Sequence, residues 1–270
     1  MMNPNLYRII LLTIFVGLFA LSCDEIIEYS PYQNIVDSKW KKQNVTNYNK
    51  LLPEADEGFT PFRIGLIADS HTYYDEFEKQ VKYINSRNDL DFIVHLGDIT
   101  LSANAREFDW YSDIMNDIKI PVITLIGNHD CLANGYDIYT EMFGESNFFF
   151  RYRDVKLVMF DNIIWEKNVI DPDFVWFDTA LENDSDYKYV IPFAHIPPWG
   201  DQFNMGSEYL YNQLLLKHNV ELSVHGHGHS YGYSQPYGDV NYLSIPAPIR
   251  DELVIMDVQS DTIIVERIEY

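Results

Sequence analysis

The chain has 270 residues, 47% hydrophobic and 22% charged, with 13 Gly and 12 Pro, a globular mixture that argues against a disordered, collagenous or coiled-coil protein. Its 19 Lys and Arg against 41 Asp and Glu leave a net charge of −22. That balance argues against nucleic-acid binding through a basic face and against docking to anionic lipid through a polybasic patch.

In chain order the first element is an address. Residues 1–8 carry one positive charge, Arg8, and residues 9–21 are almost wholly apolar. This is the length of a signal-peptide core and too short to span a bilayer. The segment ends Phe19-Ala20-Leu21-Ser22-Cys23. It resembles a bacterial lipoprotein signal, in which the cysteine becomes the lipidated first residue, with Ala20 where Leu is favoured. The expectation is a signal peptide over residues 1–22 and lipidation at Cys23, with the protein anchored in the bacterial cell envelope outside the cytoplasm. A plain secretory signal is the alternative. Cys131 is the other cysteine, so no disulfide is expected and its thiol reads as buried and inert. Residues 23–60, polar with scattered Tyr29, Tyr32, Trp40 and Tyr48, are expected to be part tether and part docking segment. A folded domain over residues 61–270 follows.

From Phe62 onward one pattern recurs. A short apolar run rich in β-branched residues is followed at once by a small residue and a metal-competent side chain. Residues 63–68 lead to Asp69 and His71, residues 91–97 to Asp98, and residues 122–127 to Asn128, His129 and Asp130. Residues 187–194 lead to His195, and residues 220–226 to His227 and His229. Such runs read as buried strands. Residues 74–87, with Phe77, Val81 and Ile84, and residues 105–118, with Phe108, Tyr111, Ile114 and Met115, read as helices between them. Strand–helix–strand alternation implies βαβ units, whose ligands collect beyond the carboxyl ends of the strands. Five of the eight His stand at such ends. His95 lies inside a run and reads as packing. His218 closes a helix over residues 208–217 and reads as exposed, and His225 reads as structural. Residues 252–258 and 262–268 read as a hairpin turning at residues 259–261.

The five blocks, in this order and each after a strand, resemble the calcineurin-like metallophosphoesterase superfamily over residues 63–230. The resemblance implies an α/β protein with a β-sandwich of two mixed sheets flanked by helices, a four-layer α/β/β/α arrangement. It implies that Asp69, His71 and His229 hold one metal ion, that Asn128, His195 and His227 hold another, and that Asp98 bridges both. The activity implied is hydrolysis of a phosphate ester by a hydroxide that bridges the two ions. His129 would then be the general acid, and Asp130 would hydrogen-bond and orient it, with helix capping as the alternative role for Asp130.

The residue chemistry agrees independently. Imidazole and carboxylate suit Zn, Fe or Mn, and a bridging carboxylate lets two ions sit ~3.5–4 Å apart, the spacing of two-metal hydrolysis. A chain so acidic repels phosphates, and bound metal supplies the positive centre that its few Lys and Arg do not. Tyr73 and Trp199 are candidate substrate contacts, each with packing as its alternative role. The substrate expected is a phosphorylated small molecule or lipid. A phosphodiesterase or pyrophosphatase of the same fold is a second reading. A non-catalytic metal-binding lipoprotein is a third, which loss of a ligand would favour, and no ligand block is missing.

Overall fold

Successive side chains of a strand point to opposite faces, so a run that is apolar throughout must bury both. The computed structural model arranges this chain so. It describes residues 33–55, 58–185 and 187–270, with Arg8 ahead of them. The signal sequence and Cys23 lie outside the described residues, Arg8 excepted. The chain divides into two units, residues 1–33 and 34–270, and the described residues of the second form eleven strands and six α-helices.

One sheet contains β1 (Phe62–Ile67), β2 (Phe92–His95), β3 (Val122–Thr124), β10 (Glu252–Val258) and β11 (Ile263–Glu269), in the order β11-β10-β1-β2-β3. Strands β1, β2 and β3 are parallel, and the terminal hairpin joins β1 antiparallel through β10. The second sheet contains β4 (Phe148–Tyr152), β5 (Val155–Phe160), β6 (Tyr189–Ala194), β7 (Leu222–His225), β8 (Gly232–Ser234) and β9 (Asn241–Ser244), in the order β4-β5-β6-β7-β9-β8. Its central strands β5, β6, β7 and β9 are parallel and its two edge strands antiparallel.

Alternation sorts the core into three layers. Ile64, Leu66, Phe92 and Val94 of the first sheet meet Leu157, Met159, Ile191 and Phe193 of the second. The opposite face of the first sheet, with Ile67, Ile93 and Ile255, packs on α2 (Tyr74–Ser86), α3 (Ala105–Met115) and α4 (Gly135–Phe143) through Phe77, Phe108, Tyr111 and Tyr139. Val158, Phe160 and Val190 of the second sheet pack on α5 (Phe174–Ala180) and α6 (Met205–Lys217) through Phe177, Tyr211 and Leu215. Helix, sheet, sheet and helix therefore form four layers.

Local chemistry moves some boundaries. Helix α3 ends at Met115, three residues before the expected end, and Ile118 N–H turns back to the Met115 carbonyl at 3.0 Å. Helix α6 starts at Met205, because Asn204 caps it by accepting from the N–H groups of Gly206 (2.8 Å) and Ser207 (3.1 Å). His218, expected to be exposed, is largely covered and bonds the Asp178 carboxylate at 2.6 Å. The hairpin closes with Gln259 N–H on the Thr262 carbonyl at 2.9 Å.

Residues 34–60 also belong to the second unit. Helix α1 (Gln43–Ala55) buries Leu51 in the inter-sheet core, and Trp40 joins the helix-side core. Asn44 pairs with edge strand β3 as a strand residue would. Its Nδ2 donates to the Thr124 carbonyl and its Oδ1 accepts from Thr124 N–H, both at 2.8 Å. The domain boundary expected at residue 60 thus falls inside a compact unit that begins at Asn34.

Candidate metal centre

The parallel strands deliver their ends to one edge, and backbone hydrogen bonds continue past the strands to hold the loops together. Asp69 N–H donates to the Gly97 carbonyl (3.0 Å), His71 N–H to that of Asp98 (3.2 Å), and Gly226 N–H to that of His195 (3.0 Å). Four of the side chains that gather there sit on left-handed backbone: Asp69 (φ 54°), Asp98 (φ 56°), His227 (φ 65°) and His229 (φ 52°). That conformation costs a non-glycine residue ~1–2 kcal/mol, and such strain concentrates at functional sites. Two glycines permit the crowding. A Cβ on Gly127 would stand 2.1 Å from the Asp98 backbone nitrogen, and one on Gly97, itself at φ 92°, would stand 2.5 Å from the Gly127 nitrogen.

All seven predicted ligands converge through close side-chain pairs. His71, Asp98 and His229 form one group, and Asp98, His195 and His227 another, with the ligand atoms of each within 4.8 Å of one another. Asp98 belongs to both. His129 N–H donates to its Oδ1 at 2.9 Å, while its Oδ2 lies 3.2 Å from His195 Nε2 and 3.8 Å from His71 Nε2. Asp69 Oδ1 lies 3.5 Å from His229 Nε2, and Asn128, the seventh, places Oδ1 3.0 Å from His227 Nδ1. His195 Nδ1 donates to the Leu96 carbonyl at 2.7 Å, which leaves Nε2 as the nitrogen facing Asp98.

The donor set fits a cation. Both oxygens of Asp69, fully buried, and Nε2 of His195 lack any hydrogen-bond partner among the described residues. A buried carboxylate without partners is costly, and a bound cation removes the cost. Titration behaviour follows the same crowding. Burial pushes Asp69 well above the usual carboxylate range, and burial lowers His71 to about 4. Burial alone would lower His195, but Asp98 and Asp69 outweigh it and raise His195 to about 9. Burial would raise Asp98, and His195 with its neighbours holds it below the ordinary value instead. Oxygen and imidazole donors with no thiolate suit Zn, Mn or Fe.

His129 is placed beside this group, its ring 4.8 Å from that of His71. Its orientation differs from the expectation. Asp130 does not bond the His129 ring. It is fully buried and turns away, accepting from Ile99 N–H (3.0 Å), Thr100 N–H (2.9 Å), Thr100 Oγ1 (2.8 Å) and Gly127 N–H (2.9 Å). Those donors bind it more fully than one imidazole would, so Asp130 ties the loops after β2 and β3 together. Burial, with Asp98 adding to it, raises Asp130 to about 7. The Leu101 carbonyl, 2.8 Å from His129 Nδ1, orients the ring instead.

Of the proposed substrate contacts, Tyr73 stands at the rim with ring centroids 6.2 Å from His229 and 6.4 Å from His71. Trp199 packs edge-on against Tyr242 at 5.4 Å and stands near Tyr237 and His225, so its ring belongs to an aromatic cluster. Cys131 is buried, and that burial pushes its thiol up, which fits an inert residue. His95 is buried and bonds Ser70 Oγ at 3.1 Å. Sequence reasoning missed Glu166, which accepts from Asn128, and Gln202, which donates to Glu166; neither carries a motif. It also missed Asp201, 3.7 Å from His227 Nε2.

The comparisons with known proteins agree with this geometry. A search of curated proteins finds no match to the chain. Among solved structures, the purple acid phosphatase PPD1 of yellow lupin superposes with a TM-score of 0.61 at 12% identity, over 78% of this chain and 52% of that one. This chain thus spans about half the length of the lupin enzyme. A dimetal phosphatase from Danio rerio gives 0.58 at 15% identity, over 77% and 97%. GAP50, the anchor in the inner membrane complex of Plasmodium, gives 0.58 at 13% identity, over 77% and 84%. At such identities the likeness concerns the fold. Residues 62–231 match the profile of the calcineurin-like phosphoesterases, which is most of the chain and contains every block above. The chain therefore belongs to the calcineurin-like phosphoesterase family, metal-dependent hydrolases of phosphoric esters.

Proposed function

We propose that the chain hydrolyses a phosphorylated small molecule or lipid with two metal ions, as a lipoprotein anchored in the bacterial cell envelope outside the cytoplasm. The observation that carries the two-ion reading is Asp98, whose carboxylate belongs to both donor groups. Asp69, His71 and His229 would hold one ion, Asn128, His195 and His227 the other, and Asp98 both. When bound, such a pair supplies Lewis acidity for the phosphoryl oxygens and activates the attacking water. The chain's own part is orientation and proton transfer. The His129 N–H keeps Asp98 Oδ2 turned toward His71 and His195, and the Leu96 carbonyl selects the His195 tautomer. With Nδ1–H on the Leu101 carbonyl, the Nε2 edge of a protonated His129 is the one that gives its proton to the leaving oxygen. The membrane reading rests on the apolar segment 9–21 and Ser22-Cys23.

Metal analysis of the purified chain tests the two-ion reading. The wild type should hold two ions per chain. Asp98→Asn should lower occupancy at both sites, and His71→Ala chiefly at one. Equal stoichiometry in wild type and Asp98→Asn would refute the bridging role. A paired assay on an aryl phosphate monoester and diester then defines the substrate.

A further inference from the structure

A side-chain amide presents either its oxygen or its NH2 to a given neighbour, and only the oxygen can ligate a cation. Asn128 is 8% exposed, and its amide touches His227 on one side and Glu166 on the other. What settles its orientation begins two residues further out. Two backbone N–H groups, of Ile164 (2.9 Å) and Trp165 (3.0 Å), point at one atom of Gln202, which must therefore be its oxygen. Gln202 is 5% exposed, so its NH2 has no solvent to turn to. That NH2 donates to Glu166 Oε2 at 2.7 Å. A carboxylate accepts, so Oε1, 3.1 Å from Asn128, accepts a hydrogen bond from the amide NH2. Donor and acceptor order thus runs from backbone to Gln202 to Glu166 to Asn128, and leaves the Asn128 oxygen on the side of His227, 3.0 Å from Nδ1.

We propose that Glu166 and Gln202 are positioning residues that lock the Asn128 amide with its oxygen toward the metal centre. This rests on the reading of Asn128 as a ligand. The loop after β5 supplies both the backbone donors at residues 164–165 and Glu166, so the lock is built by the second sheet onto a ligand delivered by the first. Neither residue touches the proposed reaction, and each acts through Asn128. The relay has a polarity, and that polarity can be reversed. Glu166→Gln alone sets two NH2 groups against each other or releases Asn128. Gln202→Glu alone sets two carboxylates face to face. Together the two substitutions restore one donor for every acceptor along the same path.

The test is Mn2+ binding to the chelator-stripped full-length chain, read as free Mn2+ by electron paramagnetic resonance, with thermal melting of the metal-free protein beside it. Glu166→Gln should weaken one of the two sites ~10–100-fold, the usual cost of losing a partner behind a ligand. Gln202→Glu should do likewise, and the double variant should recover most of the loss, a non-additivity that a merely structural role would not give. Wild-type affinity in Glu166→Gln overturns the proposal, as does a double variant that melts normally yet binds no better than the single ones. If Glu166→Gln fails to fold, the double variant still decides, because its relay is complete. Asn128→Ala separates this from the ligand reading. If Asn128→Ala weakens one site and Glu166→Gln does not, the relay alone fails. If Asn128→Ala binds Mn2+ as the wild type does, the ligand reading fails and takes the relay with it.

Discussion

His129 and Asp130 are neighbours in sequence, yet the structure separates their work. His129 points its ring at the metal-competent cluster, held by a backbone carbonyl, whereas Asp130 serves the loops. Replacing His129 by Ala should leave metal content and fold intact and slow the reaction by the ~10²–10⁴ of a positioned acid. The loss should be far larger for an alkyl phosphate than for a nitrophenyl phosphate, whose leaving group needs no proton. Equal slowing of both esters would assign His129 to phosphoryl charge instead. Asp130→Ala should behave differently. It strands three backbone N–H groups and the Thr100 hydroxyl in the interior, and thermal or urea unfolding should show a loss of about 3 kcal/mol or more. If Asp130→Ala melts as the wild type does and shows the leaving-group pattern of His129→Ala, the orienting role once expected of it is restored.

At the scale of elements, the site depends on how closely the ends of β2 and β3 approach, and on what closes the open edge of β3. An unpaired edge strand wastes hydrogen bonds and invites association. Here Asn44 of α1 supplies both partners to Thr124, so a helix outside the family-matched residues completes the edge of the sheet whose strand β3 leads to Asn128. Asn44→Ala removes two buried hydrogen bonds and leaves the Thr124 N–H unpaired. The expected cost is about 1–3 kcal/mol, seen as a lower unfolding temperature with the metal stoichiometry retained. An unchanged melting temperature would show that α1 is held by its apolar contacts alone.

For the whole molecule the dominant fact is charge. At −22 the chain repels the anions it hydrolyses, and a cation held by the Asp and His cluster would be the counterweight. Among the described residues no helix is long and apolar enough to cross a membrane, and the anchor we propose is the lipidated Cys23. Cys23→Ala should release the protein from the membrane fraction while kcat on a nitrophenyl ester stays as in the wild type. A variant that stays membrane-bound, together with a wild type that carries no lipid, would overturn the anchor.

The sequence by itself determined the strands, because runs such as residues 62–67 and 155–160 are apolar on both faces and can be stable only between two covering layers. It also determined which side chains reach the centre, since a residue directly after a parallel strand must emerge at the same sheet edge as its counterparts. Asp69, Asp98, Asn128, His195 and His227 were therefore legible as residues of one sheet edge from the runs they follow, and as metal ligands from the family resemblance. What only the tertiary structure decided is which partner each polar group finds. Asp130 follows His129 directly, but its buried carboxylate is taken by donors from residues 99, 100 and 127. Glu166 and Gln202 stand 38 and 74 positions from Asn128 with no periodicity to betray them. Hydrogen bonds between loops are set by where the chain's layers stack, a long-range outcome that no local pattern encodes.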